Sequence, residues 1–181
     1  GIRDSTPFRV VLISIVDETG LLRRVTATGI PQETLNELLS RKQPLPGVKK
    51  LMQPEFKVSR SYFIPSDEAP VIQSDVHSIT VDVPTPAVQQ PNSWNVNDSL
   101  LVPLENSEGD VVGLISLDNP SNNLRPDKAT IETVEVFAAQ AALVVNNTLR
   151  QGELRSRIDA LSSGLQRQQK LIDSTQNNLP I

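Results

Sequence analysis

Residues 94–120, WNVNDSLLVPLENSEGDVVGLISLDNP, hold two apolar runs, Ser99 to Leu104 and Val111 to Leu117. A polar stretch from Glu105 to Asp110, with Gly109 inside it, joins them. Runs this short, bounded by turn residues and apolar at successive positions, predict a hairpin of two core strands. The same pattern stands at the other end of the chain. Phe8 to Val16 is a nearly unbroken Val- and Ile-rich run, Asp17 to Gly20 supplies turn chemistry, and Leu21 to Thr28 reads as the returning strand. Two strong hairpins therefore predict an antiparallel sheet.

Between the hairpins the elements are shorter. Leu35, Leu38 and Leu39 share one side of a short helix that should stop before Pro44, Pro46 and Gly47, and a second short helix is expected near Val48 to Gln53. Lys57 to Ile64 reads as a further strand, with Val58, Arg60, Tyr62 and Ile64 on one face. From Pro65 to Asp98 the composition turns proline-rich and polar, interrupted by one alternating island, His77 to Val83. An excursion of that length inside a domain is expected to serve as a lid over a pocket.

The last third is helical. Pro126 suits a first helical position, Asp127 and Glu132 favour the start of a helix, and Ile131, Val134, Phe137, Ala138, Ala141 and Val145 form a stripe broad enough to lie on a sheet. Beyond it the stripe narrows to a heptad seam, Leu154, Ile158, Leu161, Leu165 and Ile172, broken only by Gln168 and extended backwards through Gln151, Asn147 and Val144. No proline lies between Asp127 and Asn178, so one continuous helix of about 75 Å is possible, with Gly152 and Gly164 as weak points. A narrow aliphatic band has no use for a lone helix in water; it predicts a homodimer paired through this tail.

Composition narrows the chemistry. The chain has 181 residues, 38% hydrophobic, with a formal charge of -4, enough for one domain and an appendage. An acidic chain is not expected to bind nucleic acid or an anionic membrane surface, and no apolar run approaches the length of a membrane span. The absence of cysteine excludes disulfides, thiolate metal sites and cysteine nucleophiles, and fits a cytoplasmic location. The chain opens on Gly1 rather than Met, which suggests a piece of a longer protein.

The stretches WNVNDSLLVPLENSEGDVVGLISLDNP and RPDKATIETVEVFAAQAALVVNN (residues 125–147) together resemble the C-terminal half of a GAF domain of bacterial signalling proteins. The Phe8 hairpin and VSRSYFIP (residues 58–65) are similar to its N-terminal half, so the resemblance covers roughly residues 8 to 149. It implies an α+β fold: a central antiparallel sheet with helices on one face, a loop or lid pocket on the other, and here a long C-terminal helix. It also implies a regulatory role upstream of an output signalling domain. Residues 1–149 are then expected to be the sensor and 150–181 the coiled-coil helix, and with no Ser-His-Asp order, phosphate-cradling glycine pattern or zinc spacing in the chain no enzyme is expected. Members that bind bilins or reduce methionine sulfoxide need cysteines, which this chain lacks. The Asn-Lys-Phe-Asp-Glu signature of cyclic-nucleotide binders is not recognisable around Phe137, and the usual helix ahead of the first strand is expected to be missing, because only seven residues precede Phe8.

No cofactor or metal is called for, and the ligand expected is an unidentified small molecule. Candidates to touch it are Arg60 and Tyr62, which could present a guanidinium and a hydroxyl from one strand face; His77, in the lid; Trp94, by stacking; and Asp118, at a strand end. Each has a plainer alternative: packing at a strand edge, a loop histidine, a plug at the base of the lid, and a turn out of a strand. Asp67, Glu68 and Asp75 invite an acid-base or magnesium reading, but no positioned partner accompanies them. A structural dimerisation module with a collapsed pocket is the rival reading.

Overall fold

A computed structural model describes residues 1–68 and 91–176. The interior of the expected lid, including His77, Asp75 and the His77–Val83 island, lies outside the described residues. Two compact units make up the chain, Gly1–Leu143 and Val144–Ile181. The first is built on seven antiparallel strands: β1 (Phe8–Val16), β2 (Leu21–Thr28), β3 (Lys42–Pro44), β4 (Lys57–Val58), β5 (Ser61–Ile64), β6 (Ser99–Glu105) and β7 (Val111–Pro120). Their order in the sheet is β3-β2-β1-β7-β6-β5-β4, so the two strong hairpins meet at its centre through β1 and β7. Both hairpin turns are closed by a side-chain Oδ1 acceptor. Asp17 Oδ1 accepts from the Thr19 and Leu21 amides, and Asn106 Oδ1 from those of Glu108 and Asp110.

Residues directly opposite each other in the ladders share a face, which sorts the core into layers. Val10 and Leu12 pack with Leu38 of α2 (Gln32–Ser40). On the same face Leu22, Leu101, Leu114 and Ile64 pack with Val48 of α3 (Leu45–Lys49) and with Phe56 in the 3-10 turn Pro54–Phe56. This is the inner face of the sheet. Ser61, which alternates with Tyr62 and so faces the other way, meets the helix α4 (Lys128–Gln176), whose Ile131, Val134, Ala138 and Ala142 are buried. A four-residue helix, α1 (Ile2–Ser5), precedes β1.

Several local expectations are corrected. Lys57–Ile64 is not one strand but a tight hairpin: Lys57 pairs with Tyr62 and Val58 with Ser61, leaving Ser59 and Arg60 as the turn. Ser59 takes the left-handed conformation that such a turn requires, at φ 61°. Arg60 and Tyr62 therefore do not share a strand face. The second short helix starts earlier than expected, at Leu45, because Pro46 sits in its first turn, where a missing N–H costs nothing. Pro126 stands before the helix, and Asp127 caps it by accepting the Thr130 amide at 2.8 Å. Asp118, Asn119 and Pro120 belong to β7 rather than following it.

The second unit is described up to Gln176, and its residues are all helical to that point. Neither Gly152 nor Gly164 breaks α4. Among the described residues no helix is long and apolar enough to cross a membrane.

Candidate functional site

The four described ligand candidates fall in three places. Trp94 and Asp118 come together: the indole Nε1 donates to Asp118 Oδ1 at 3.1 Å, and the ring packs edge-on against Phe8 and tilted against Phe63, with centroids 5.9 and 5.8 Å apart. Trp94 is thus an aromatic plug, its polar handle satisfied within the fold. Burial pushes the Asp118 carboxyl above its ordinary range, while the Asn119 amide and the indole pull it back and the nearby Asp98 adds repulsion. Tyr62 packs instead against the apolar cluster around Leu22 and Phe56. Arg60 is drawn to α4.

What draws it is a residue that the sequence hid. Glu135 is 4% exposed, inside the apolar stripe of α4. Its carboxylate accepts from Ser59 Oγ at 2.8 Å, the Arg60 amide at 2.8 Å and Ser61 Oγ at 2.7 Å, with Arg60 Nε 3.5 Å away. Burial alone would raise its pKa, but the Ser61 and Ser59 hydroxyls, with the Arg60 amide and charge, outweigh it and hold the group below its usual range. The strained Ser59 backbone is held by the same carboxylate that ties the hairpin to the helix.

A second buried acid fastens the other end of β5. Asp98, 2% exposed, accepts from the Ser66 amide at 2.9 Å and the Asn95 amide at 3.0 Å, and lies 3.3 Å from Arg125 Nε. The Arg125 guanidinium covers the Phe63 ring at 5.2 Å. Backbone bonds from Trp94 to Asn123 and from Arg125 to Asn92 stitch the entry to β6 onto the entry to α4. Asp67 is 72% exposed, with Arg125 the charged partner recorded for it among the described residues, at 3.9 Å.

The inner sheet face carries one more set of polar groups. Ser14 and Arg24, 8% and 7% exposed, are direct partners across β1 and β2. Ser116 lies beside them opposite Leu12, and Gln43 opposite Leu22 has a buried Nε2 with no hydrogen-bond acceptor among the described residues. Desolvation lowers the Arg24 pKa, and the Arg41 charge lowers it further. Only a polar residue alternating with aliphatic ones along a strand hinted at this strip, and without the register that hint is not readable.

In the second unit the expected seam is laid out on one helix. Val144, Leu154, Ile158, Leu161, Leu165 and Ile172 are 52 to 69% exposed, and Asn147 and Gln151 are exposed with them.

The family model for the GAF domain matches residues 2–145. No curated protein matches the chain. Among solved structures, the GAF domain/HD domain protein from Geobacter sulfurreducens is similar over 81% of this chain and 85% of its own, at 15% identity and a TM-score of 0.53. The GAF domain of an Acinetobacter phosphoenolpyruvate-protein phosphotransferase matches over 82% and 78%, at 15% identity and 0.54. Residues 122 to 287 of a methyl-accepting chemotaxis protein match over 82% and 85%, at 22% identity and 0.51. Identities this low speak for the fold alone, and the fold agrees with the family match. The chain belongs to the GAF domain family, whose members are sensory and regulatory modules of signalling proteins.

Proposed function

We propose that this chain is a non-catalytic sensory module that binds a small molecule and works as a homodimer joined through its C-terminal helix. Residues 1–149 act as the sensor and 150–181 as the pairing helix, which passes the change to an output domain of the full-length protein. The observation that carries this reading is the seam from Val144 to Ile172, whose large aliphatic side chains stand more than half exposed in one chain. Steps of three and four residues make the band self-complementary, so a second copy of the same helix covers it.

The relay follows from how the sensor is tied to α4. Ligand binding to the sensor shifts its sheet, and the Glu135 and Asp98 anchors convey that shift toward the helix. Only a ligand that prefers one of two arrangements can drive this. Asn147, Gln151 and Gln168 keep the seam marginal, because polar seam positions restrict register at a cost in stability.

Sedimentation velocity tests the pairing. The wild-type chain is expected to run as a dimer and the Ile158→Lys/Leu161→Lys double variant as a monomer with an intact GAF domain; a wild-type monomer at high concentration refutes the relay. The second reading, a dimerisation module without a ligand, draws on Trp94, which packs against both Phe8 and Phe63.

A further inference from the structure

The inner face of the sheet does not carry one continuous apolar core. Val10 and Leu12 belong to a cluster closed by Leu38, whereas Leu22, Leu101 and Leu114 belong to another closed by Val48, Leu51 and Phe56. Ser14 stands on β1 between Leu12 of the first and Val16, which packs on the second, and its partner across the ladder is Arg24. A buried guanidinium thus separates two aliphatic patches on the face turned toward α2 and α3.

A backbone irregularity puts it there. Ile13 pairs with Thr26 but Ser14 with Arg24, so Val25 is an extra residue bulged out of β2. Without that bulge Ser14 would face Val25, and Arg24 would fall opposite Ile15 on the other side of the sheet. The bulge instead leaves Val25 37% exposed and turns an arginine inward, the reverse of what hydrophobic burial favours. The bulge thus turns a guanidinium inward and an aliphatic residue outward, an exchange that burial of apolar surface does not account for and that places a polar, charged group in the middle of this face.

We propose that this strip is where the sensor's ligand is held, and that the ligand is a small organic acid whose carboxylate docks on Arg24 with Ser14 and Gln43 beside it. The inference rests on the small-molecule reading of the module and narrows it to one chemical class. A guanidinium presents five donors in a planar fork that matches a carboxylate, so Arg24 can keep contacts within the fold and still receive a ligand. Ser14 Oγ and the Gln43 Nε2 amide supply neutral donors next to it. The aliphatic clusters on either side suit a short hydrocarbon skeleton, whereas a fully hydrated inorganic ion would gain nothing from them. Arg41, paired with Glu37, adds positive potential without occupying the strip.

The test is thermal-shift and calorimetric titration of the intact chain with short mono- and dicarboxylates, their matching neutral amides and inorganic phosphate, at constant ionic strength. At least one carboxylate is expected to bind saturably, with its amide silent and phosphate far weaker. Arg24→Gln should weaken that carboxylate by roughly ten- to a hundredfold, the loss expected for a charged hydrogen-bonding partner. Arg24→Lys and Ser14→Ala should each weaken it less while leaving the fold intact, and they carry the comparison if Arg24→Gln does not fold. Carboxylates that bind the Arg24 variants as tightly as wild type, or phosphate that binds as well as they do, overturn the assignment. Neutral compounds that bind while every acid fails overturn it too, but leave the sensor reading standing; failure of acids and neutral metabolites alike removes both.

Discussion

Glu135 shows how a single residue escapes a reading by pattern. Its neighbours Ile131, Val134 and Ala138 mark the buried stripe, and an acid at that phase reads as a helix surface residue until its partners are known. Those partners lie 74 to 76 residues away, in a hairpin turn whose hydroxyls and amide converge on the carboxylate. The linkage has a definite sign. A carboxyl whose folded pKa lies below its ordinary 4.5 contributes stability that is fully present above that value and is lost as pH falls through the folded pKa. Glu135→Gln is therefore expected to destabilise the domain by about 2 kcal/mol at neutral pH, the scale of hydrogen bonds to a charged group. Urea unfolding from pH 7 down to pH 3 should show the gap between wild type and variant narrowing as pH falls below 4.5. A constant difference across the range would mean that packing, not charge, holds Glu135 in place.

Among elements, the strands that formed as expected are those with their own turn chemistry, and the one that did not is the one whose turn was disguised. β1–β2 and β6–β7 carry Asp17-to-Gly20 and Asn106-to-Asp110 turns with glycine at positive φ, Gly20 at 77° and Gly109 at 85°. The β4–β5 hairpin uses Ser59 and Arg60 instead, with no glycine to announce it, and the tie to Glu135 offsets the strain. A different glycine matters inside β7. A methyl group added at Gly113 would come within 2.6 Å of the Ser14 carbonyl and 2.8 Å of Leu104 Cδ1, so β1 and β7 approach too closely there for a side chain. Gly113→Ala should cost about 1–3 kcal/mol in chemical denaturation, in line with overpacking of a filled core. An unchanged midpoint would show that the central strands can part more readily than their pairing suggests.

For the whole molecule, stability and assembly are expected to be one quantity. If two copies share the seam, mass action makes the midpoint of thermal unfolding rise with protein concentration, whereas in Ile158→Lys/Leu161→Lys it should stay fixed. Scans over a hundredfold range of concentration measure this, and a wild-type midpoint that does not move argues against pairing. The heptad from Val144 to Ile172 and the runs of the two strong hairpins were readable from residues alone, because period and turn chemistry are local and a strand or helix carries its own signature. What the tertiary structure alone decided is which of those residues meet: Trp94 with Asp118, Arg60 with Glu135 rather than beside Tyr62, and Arg24 inward beside Ser14. Each of these depends on register across the sheet, and one bulged residue, Val25, is enough to exchange the inside and outside of a strand.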